Sequence, residues 1–253
     1  MRFQYVESID ESMLLSYSEH LCTVKRKAIL GIYVMCGRYT LSTQAEALEE
    51  RFHAVLPAHV YEATYNAAPS QEHLTIRNDN PHEIAAASWG FVPAWADRRP
   101  DVKSVINARA ESVATKPFFR DAFKSKRCLV LADGFYEWKK TGKHKVPYRI
   151  AFKTEEPFAF AGIWSTVHGK DGRVHPTFAI ITTGANELVA HIHSRMPVIL
   201  QEKDEDDWLN PQLPLADTQA LLAPYPADPL TMYEVSPKVN SPAFNEENLV
   251  RPV

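Results

Sequence analysis

The chain predicts an α+β fold, a single domain with a curled, barrel-like, mainly antiparallel sheet and peripheral short helices. Three observations carry this. From residue 74 onward, short apolar or alternating runs of strand length recur. Helical patterns are few and short. The strand runs do not alternate with long helices, which argues against a doubly wound parallel sheet.

In chain order, Thr43-Gln44-Ala45-Glu46 is a capping-box pattern, and Ala47, Leu48 and Phe52 behind it suit a short helix. Leu74–Arg77 and Glu83–Phe91 read as strands. Arg127–Ala132 and Phe135–Lys139 flank Asp133-Gly134, a tight-turn dipeptide. Val146–Phe152, Phe158–Trp164 and Phe178–Thr183 continue the strand pattern, with Asp171-Gly172 as a further turn. Short helices are expected at Phe118–Lys124, Glu187–Ile192, Glu202–Leu209 and Asp217–Leu222, and a last strand at Leu230–Val235.

At 253 residues, with 45% hydrophobic and 23% charged residues, the chain has ample length and ordinary composition for one globular domain. No internal repeat or low-complexity linker divides residues 36–253. The net charge of −3 supplies no global attraction for a polyanion, so a nucleic-acid role must rest on a local basic surface. Three cysteines, Cys22, Cys36 and Cys128, with no CxxC pair, argue against a disulfide framework or structural zinc and fit a reducing cytosol. No segment is long enough to cross a membrane. Residues 25–34 pair a basic stretch with an apolar one, but the apolar run is at the short limit for a secretion signal and no small-residue cleavage site follows. Residues 1–35 are expected to be an upstream start or a removable leader, and residues 36–253 the domain.

Polar residues concentrate at a few places in apolar surroundings. These are Cys36-Gly37-Arg38-Tyr39, Ile106-Asn107-Ala108-Arg109-Ala110-Glu111, Ala132-Asp133-Gly134-Phe135-Tyr136-Glu137-Trp138-Lys139-Lys140 and His191-Ile192-His193-Ser194-Arg195-Met196-Pro197. A weaker one is Tyr65-Asn66-Ala67-Ala68-Pro69, followed downstream by Trp89-Gly90-Phe91-Val92-Pro93-Ala94-Trp95.

Cys36 follows Met35 directly. If Met35 and everything before it were removed, one carbon would carry both an α-amine and a thiol. That pair traps an aldehyde as a Schiff base and then closes on it through sulfur. With an α-amine pKa near 7.8 against a lysine near 10.4, roughly 14% versus ~0.04% is unprotonated at pH 7. The thiol, with a reference pKa of about 8.5, needs only modest help from nearby positive charge. The plain alternative for Cys36 is a small buried apolar residue. Glu137, in a strand-like run, is either a surface charge or a carboxylate whose pKa an aromatic-rich cleft raises toward neutrality. His191 and His193 have the spacing of a metal pair on a strand, but no third ligand of the right kind is evident and Cys128 reads as core. Asn107 fits a turn cap as well as a site amide. Each arginine has surface pairing as its alternative, and Arg109 has Glu111 nearby.

Together these stretches resemble the SRAP family, the SOS-response-associated peptidases, over essentially all of residues 36–253, including Val235-Ser236 and Val239-Asn240. Members of that family link an N-terminal cysteine covalently to abasic sites in single-stranded DNA and remove their own initiator methionine. The resemblance implies an α+β fold around a DNA-binding cleft, DNA repair with lyase-like and peptidase activity, no metal and no cofactor. Cys36 matches the nucleophile, Glu137 the acid–base carboxylate, His193 the imidazole that assists opening of the deoxyribose, and Asn107 the amide that positions the reacting sugar or amine. Arg38, Arg109 and Arg195 match phosphate-contacting arginines, and Asn66 and Trp95 supply a wedge and a stacking face beside the lesion. Without the family, Trp95 reads as core. A cytoplasmic monomer, nucleoid-associated when bound to DNA, is expected.

The chain departs from the family pattern in three places. Ala96 stands where some members carry a second aromatic, Lys116 precedes Pro117 where an arginine is common, and residues 1–34 precede the Met-Cys pair. Either translation begins at Met35 or the chain cuts itself between Met35 and Cys36. Peptide cleavage by Cys36 or Glu137, and non-covalent single-strand binding, stand as the rival activities.

Overall fold

A computed structural model describes residues 36–58, 61–97, 99, 101–169 and 172–253. The expectation for residues 1–35 lies outside these, as does Asp171. The twelve strands are β1 (Tyr39–Leu41), β2 (Thr64–Ala67), β3 (Glu72–Arg77), β4 (Asn80–Trp89), β5 (Asn107–Arg109), β6 (Arg127–Ala132), β7 (Gly134–Thr141), β8 (His144–Phe152), β9 (Phe158–His168), β10 (Val174–Gly184), β11 (Arg195–Pro197) and β12 (Leu230–Glu234). The helices are short: α1 (Ala45–Phe52), α2 (Ala110–Val113), α3 (Arg120–Ser125), α4 (Glu187–Ala190), α5 (Glu205–Leu209) and α6 (Leu215–Ala220). The α+β class follows, with the strands in two sheets.

In one sheet the pairing runs β10–β4–β3–β6–β9 and returns from β9 to β10, so five strands close a ring. β5 and β11 extend the two edges of β10 toward its C-terminal end, and the pairings of β10 with β4 and β5 are parallel. The other sheet is antiparallel, in the order β12-β8-β7-β1-β2.

β6 shows why two cores form. Its apolar run is buried at every position. Alternation sends Leu129 and Leu131 to a core beneath the helices, with Leu48, Phe52, Val113, Phe123 and Trp208. Cys128, Val130 and Ala132 face a second core that both sheets share, with Tyr39, Phe135 and Ile150 from one and Trp89, Phe160 and Phe178 from the other. Gly162 lets β9 approach β6: a Cβ there would stand 2.7 Å from Cys128 Sγ. Arg127, wholly buried, donates to the carbonyls of Phe123, Lys124, Trp208 and Asn210 and so caps the ends of α3 and α5.

Two local expectations are corrected. Asp133-Gly134 is not a hairpin turn, because β6 pairs with β3 and β9 while β7 pairs with β1 and β8. The dipeptide is the corner where the chain passes between sheets. The capping box does not form either. Gln44 is the N-cap of α1 and makes no side-chain cap, while the Thr43 hydroxyl donates to Asp133 Oδ2. Gly172 lies in the left-handed region at φ 77°.

Candidate active site

The register of β1 on β7 pairs Tyr39 with Phe135 and Thr40 with Gly134. Tyr136 N–H donates to the Arg38 carbonyl, and continuing that ladder sets the Cys36–Gly37 segment beside Glu137. Cys36 N–H donates to Glu137 Oε1 at 2.8 Å, both residues being buried. Cys36 has φ 48°, the left-handed region that non-glycine residues seldom enter.

Glu137 is 2% exposed, and burial raises its pKa, opposed first by the nearby charge of His193 and then by hydrogen bonds from Cys36. The Cys36 thiol is pushed well up, chiefly by burial and then by the Glu137 carboxylate, with Arg195 pulling it partly back. This corrects the expectation that the thiol needs only modest electrostatic help. In the uncleaved chain it is held protonated, so its proton must be taken by a partner.

His193 and Arg195 arrive on the turn between α4 and β11. His193 Nδ1 lies 3.1 Å from both the Arg195 backbone nitrogen and the Arg195 carbonyl oxygen, contacts that anchor the ring and leave Nε2 outside this turn. The Arg195 guanidinium forks onto Glu111 through Nη1 and Nη2, and Nη2 also reaches the Thr182 carbonyl and hydroxyl. Glu111 therefore pairs with Arg195, which holds its carboxyl below the usual range. His191, exposed, follows α4 as its C-cap. Among the described residues no three His, Cys, Asp or Glu side chains gather as a metal site.

Asn107 and Arg109 stand on β5, opposite Ile180 and Thr182 of β10, on the edge of β10 away from β11. Asn107 is half-buried and Arg109 exposed. Arg38 donates to Asn66 Oδ1 at 2.8 Å and to the Val239 carbonyl at 2.6 Å. Asn66 is buried, and its amide donates to the carbonyls of Ser241 and Phe244. These two residues thus pin the segment that carries Val239-Asn240, and Asn240 in turn accepts from the Trp138 indole. Trp95 is 51% exposed on a single 3-10 turn, with Phe118 and Arg99 as its ring neighbours, and is not core. The structure joins Cys36, Glu137, His193 and Arg195 into one group.

A support that the sequence reading missed lies four residues before Glu137. Asp133 accepts hydrogen bonds from the Thr40 hydroxyl and from both the backbone N–H and the hydroxyl of Ser42 and of Thr43. Arg149 donates to the Asp133 carbonyl at 3.1 Å. This cluster ties the chain just beyond Cys36 to the base of β7, so it sets the Cys36–Glu137 approach. The hydroxyl run Thr40, Ser42, Thr43 was the available signal.

A cysteine whose nitrogen is held by a buried carboxylate, with an imidazole and a guanidinium beside it, defines a compact acid–base and nucleophile site in a two-sheet α+β fold. The comparisons agree with that class. A model of the family described as SOS response associated peptidase (SRAP) matches residues 35–242, and the chain belongs to this family. It is 44% identical over 221 residues to the abasic site processing protein YoqW of Bacillus subtilis (strain 168), covering 85% of this chain and 99% of the relative. It is similar to the abasic site processing protein YedK of Escherichia coli (strain K12), at 29% identity over 230 residues, covering 87% of this chain and 100% of that one. The abasic site processing protein HMCES of Xenopus tropicalis is 30% identical over 221 residues, 73% of this chain and 64% of that protein. Among solved structures, a crystal structure of a Bacteroides thetaiotaomicron protein matches with a TM-score of 0.77 at 30% identity, covering 86% of this chain and all of that one.

Proposed function

We propose that the chain processes abasic sites in single-stranded DNA by forming a covalent link through Cys36. One observation carries the reading: the Cys36 nitrogen lies 2.8 Å from a buried carboxylate of raised pKa, Glu137, at a position where cleavage after Met35 would leave an amine. Arginines around the cleft hold phosphate oxygens. His193 Nε2 assists opening of the deoxyribose to its aldehyde, and Asn107 orients the sugar. The Cys36 amine adds to the aldehyde carbon and the resulting carbinolamine loses water to give an iminium. Glu137 accepts the thiol proton as sulfur attacks the iminium carbon, and a thiazolidine closes. The balance is aldehyde plus aminothiol giving thiazolidine plus one water. The bound lesion is thereby shielded from strand scission, a DNA-repair role exercised in the cytoplasm on nucleoid DNA.

The same contact supports self-processing at Met35–Cys36. Glu137 takes the thiol proton as sulfur attacks the Met35 carbonyl and passes it to the departing Cys36 nitrogen, and water then hydrolyses the thioester, freeing the thiol and leaving Met35 as a carboxylate. Left-handed backbone at Cys36 favours release of that bond.

The test is intact mass of the protein, alone and after mixing with a single-stranded oligonucleotide bearing one abasic site. A species beginning at Cys36 that gains the oligonucleotide less one water is expected, and Cys36→Ala should give no adduct. A species beginning at Cys36 that gains nothing removes the covalent reading, and cleavage of unrelated peptides would then favour a peptidase.

A further inference from the structure

Beyond Glu137, β7 and β8 leave the sheet together. β7 pairs with β1 only at its first residues, through Phe135, and β12 pairs with β8 only from Tyr148 onward. The stretch between is a two-stranded ribbon, with Lys139 opposite Val146, Lys140 opposite Lys145 and Thr141 opposite His144. Every residue from Lys139 to Lys145 is exposed. At about 3.3 Å per residue the tip at Gly142 stands about 17 Å past Glu137.

This ribbon carries Lys139, Lys140, Lys143, His144 and Lys145 and no acidic residue, in a chain whose net charge is −3. Lys140 and Lys145 face each other directly, an arrangement that destabilises a hairpin. Among the described residues Lys139, Lys140 and Lys143 form no ion pair with a carboxylate. Lysines do protect exposed strand edges from pairing with other chains. That role does not call for like charges placed opposite each other. A polyanion laid along the ribbon removes the repulsion.

We propose that the β7–β8 ribbon is a second nucleic-acid contact, an arm that grips the phosphate backbone of the bound strand where it runs out of the Cys36 cleft. The proposal rests on the nucleic-acid reading of the site and adds to it the path of the flanking strand. Lys139 lies on the same face of β7 as Glu137, two residues on, so the path from cleft to arm is continuous.

The test compares the parent with K139Q/K140Q/K143Q/K145Q, reading fluorescence anisotropy over a range of salt. The probes are undamaged labelled oligonucleotides, one short enough to fill only the cleft and one with long flanks. Binding of the long strand should weaken roughly tenfold near 0.1 M salt, and the slope of log K against log salt should shrink by about 2–3, at ~0.7 per single-strand phosphate released. Binding of the short strand and thermal stability should be unchanged. A control, K153Q/K203Q, alters exposed lysines elsewhere and should leave both probes unaffected. Equal loss on short and long strands, or no loss on either, overturns the proposal. A chain that binds these probes but forms no adduct with an abasic strand loses only the covalent reading, and a chain that binds no nucleic acid loses both.

Discussion

Asp133 and Glu137 are buried carboxylates four residues apart, one just before β7 and the other in its middle, 3% and 2% exposed. Their surroundings differ. Asp133 takes five hydrogen bonds from Thr40, Ser42 and Thr43, and Arg149 Nη2 stands 3.6 Å away. Its lone pairs are spent, so it is a fastener. Glu137 takes the Cys36 N–H, and its pKa is raised by burial that its partners only partly offset. A saturated carboxylate holds geometry, whereas an under-solvated one is poised to move a proton. The pair separates support from chemistry along one strand.

Replacing Glu137 with Gln is expected to slow adduct formation by about 10²–10⁴-fold, the range for a lost acid–base group, without unfolding the chain. In the parent the rate should climb as pH rises through the raised Glu137 pKa, and the Gln variant should lose that dependence. The sign for stability is opposite. A carboxyl with a raised folded pKa contributes fully below its unfolded value and loses that contribution as pH rises through the folded one, so Glu137→Gln should gain on the parent at higher pH. A pH-independent parent rate would remove Glu137 as the proton carrier.

Asp133→Asn should reverse the pattern. Breaking a buried, hydrogen-bonded charge cluster costs about 3–5 kcal/mol, or roughly 6–20 °C in Tm at this chain length. The folded fraction should still form adduct, and a Tm within a degree of the parent would contradict the fastener role.

His73 gives a smaller effect that sharpens the same contrast. It is 7% exposed, packs on Tyr39 and Trp89, and burial holds its pKa down to about 4. Its stabilising contribution is complete above the unfolded value near 6.5 and is lost as pH falls toward 4, about 3 kcal/mol at 1.36 kcal/mol per unit. Chemical unfolding midpoints of His73→Phe measured from pH 7 to 4 should fall less steeply than the parent's. Parallel curves would remove His73 as the cause.

The smallest effect is at Glu111, 59% exposed at its side chain, whose pairing with Arg195 is worth under about 1 kcal/mol. Glu111→Gln should leave stability nearly unchanged but free the Arg195 fork, tightening single-strand binding a few-fold. Weaker binding would show that Glu111 orients Arg195 for its contact.

The sequence by itself determined the long strands, because β6, β9 and β10 carry apolar runs whose burial is independent of what they pair with. It determined the candidate chemistry too, through Met35-Cys36, Glu137 and the His193–Arg195 stretch, since these residue types hold their reactivity in the side chain. Four strands of three or four residues, β1, β2, β5 and β11, were not legible. They are too short to show a period and consist largely of the polar site stretches themselves.

Only the tertiary structure decided that Asp133-Gly134 is a passage between sheets, that Arg195 takes Glu111, and that Arg38 and Asn66 pin the segment around Val239-Asn240. Hydrogen-bond partners far apart in sequence leave no periodic trace, and a carboxylate's role depends on how many donors the fold brings to it. Asp133 and Glu137 are alike in sequence terms. The five donors at Asp133, and the Cys36 contact that leaves burial dominant at Glu137, come from the register of β1 on β7, which no local pattern encodes.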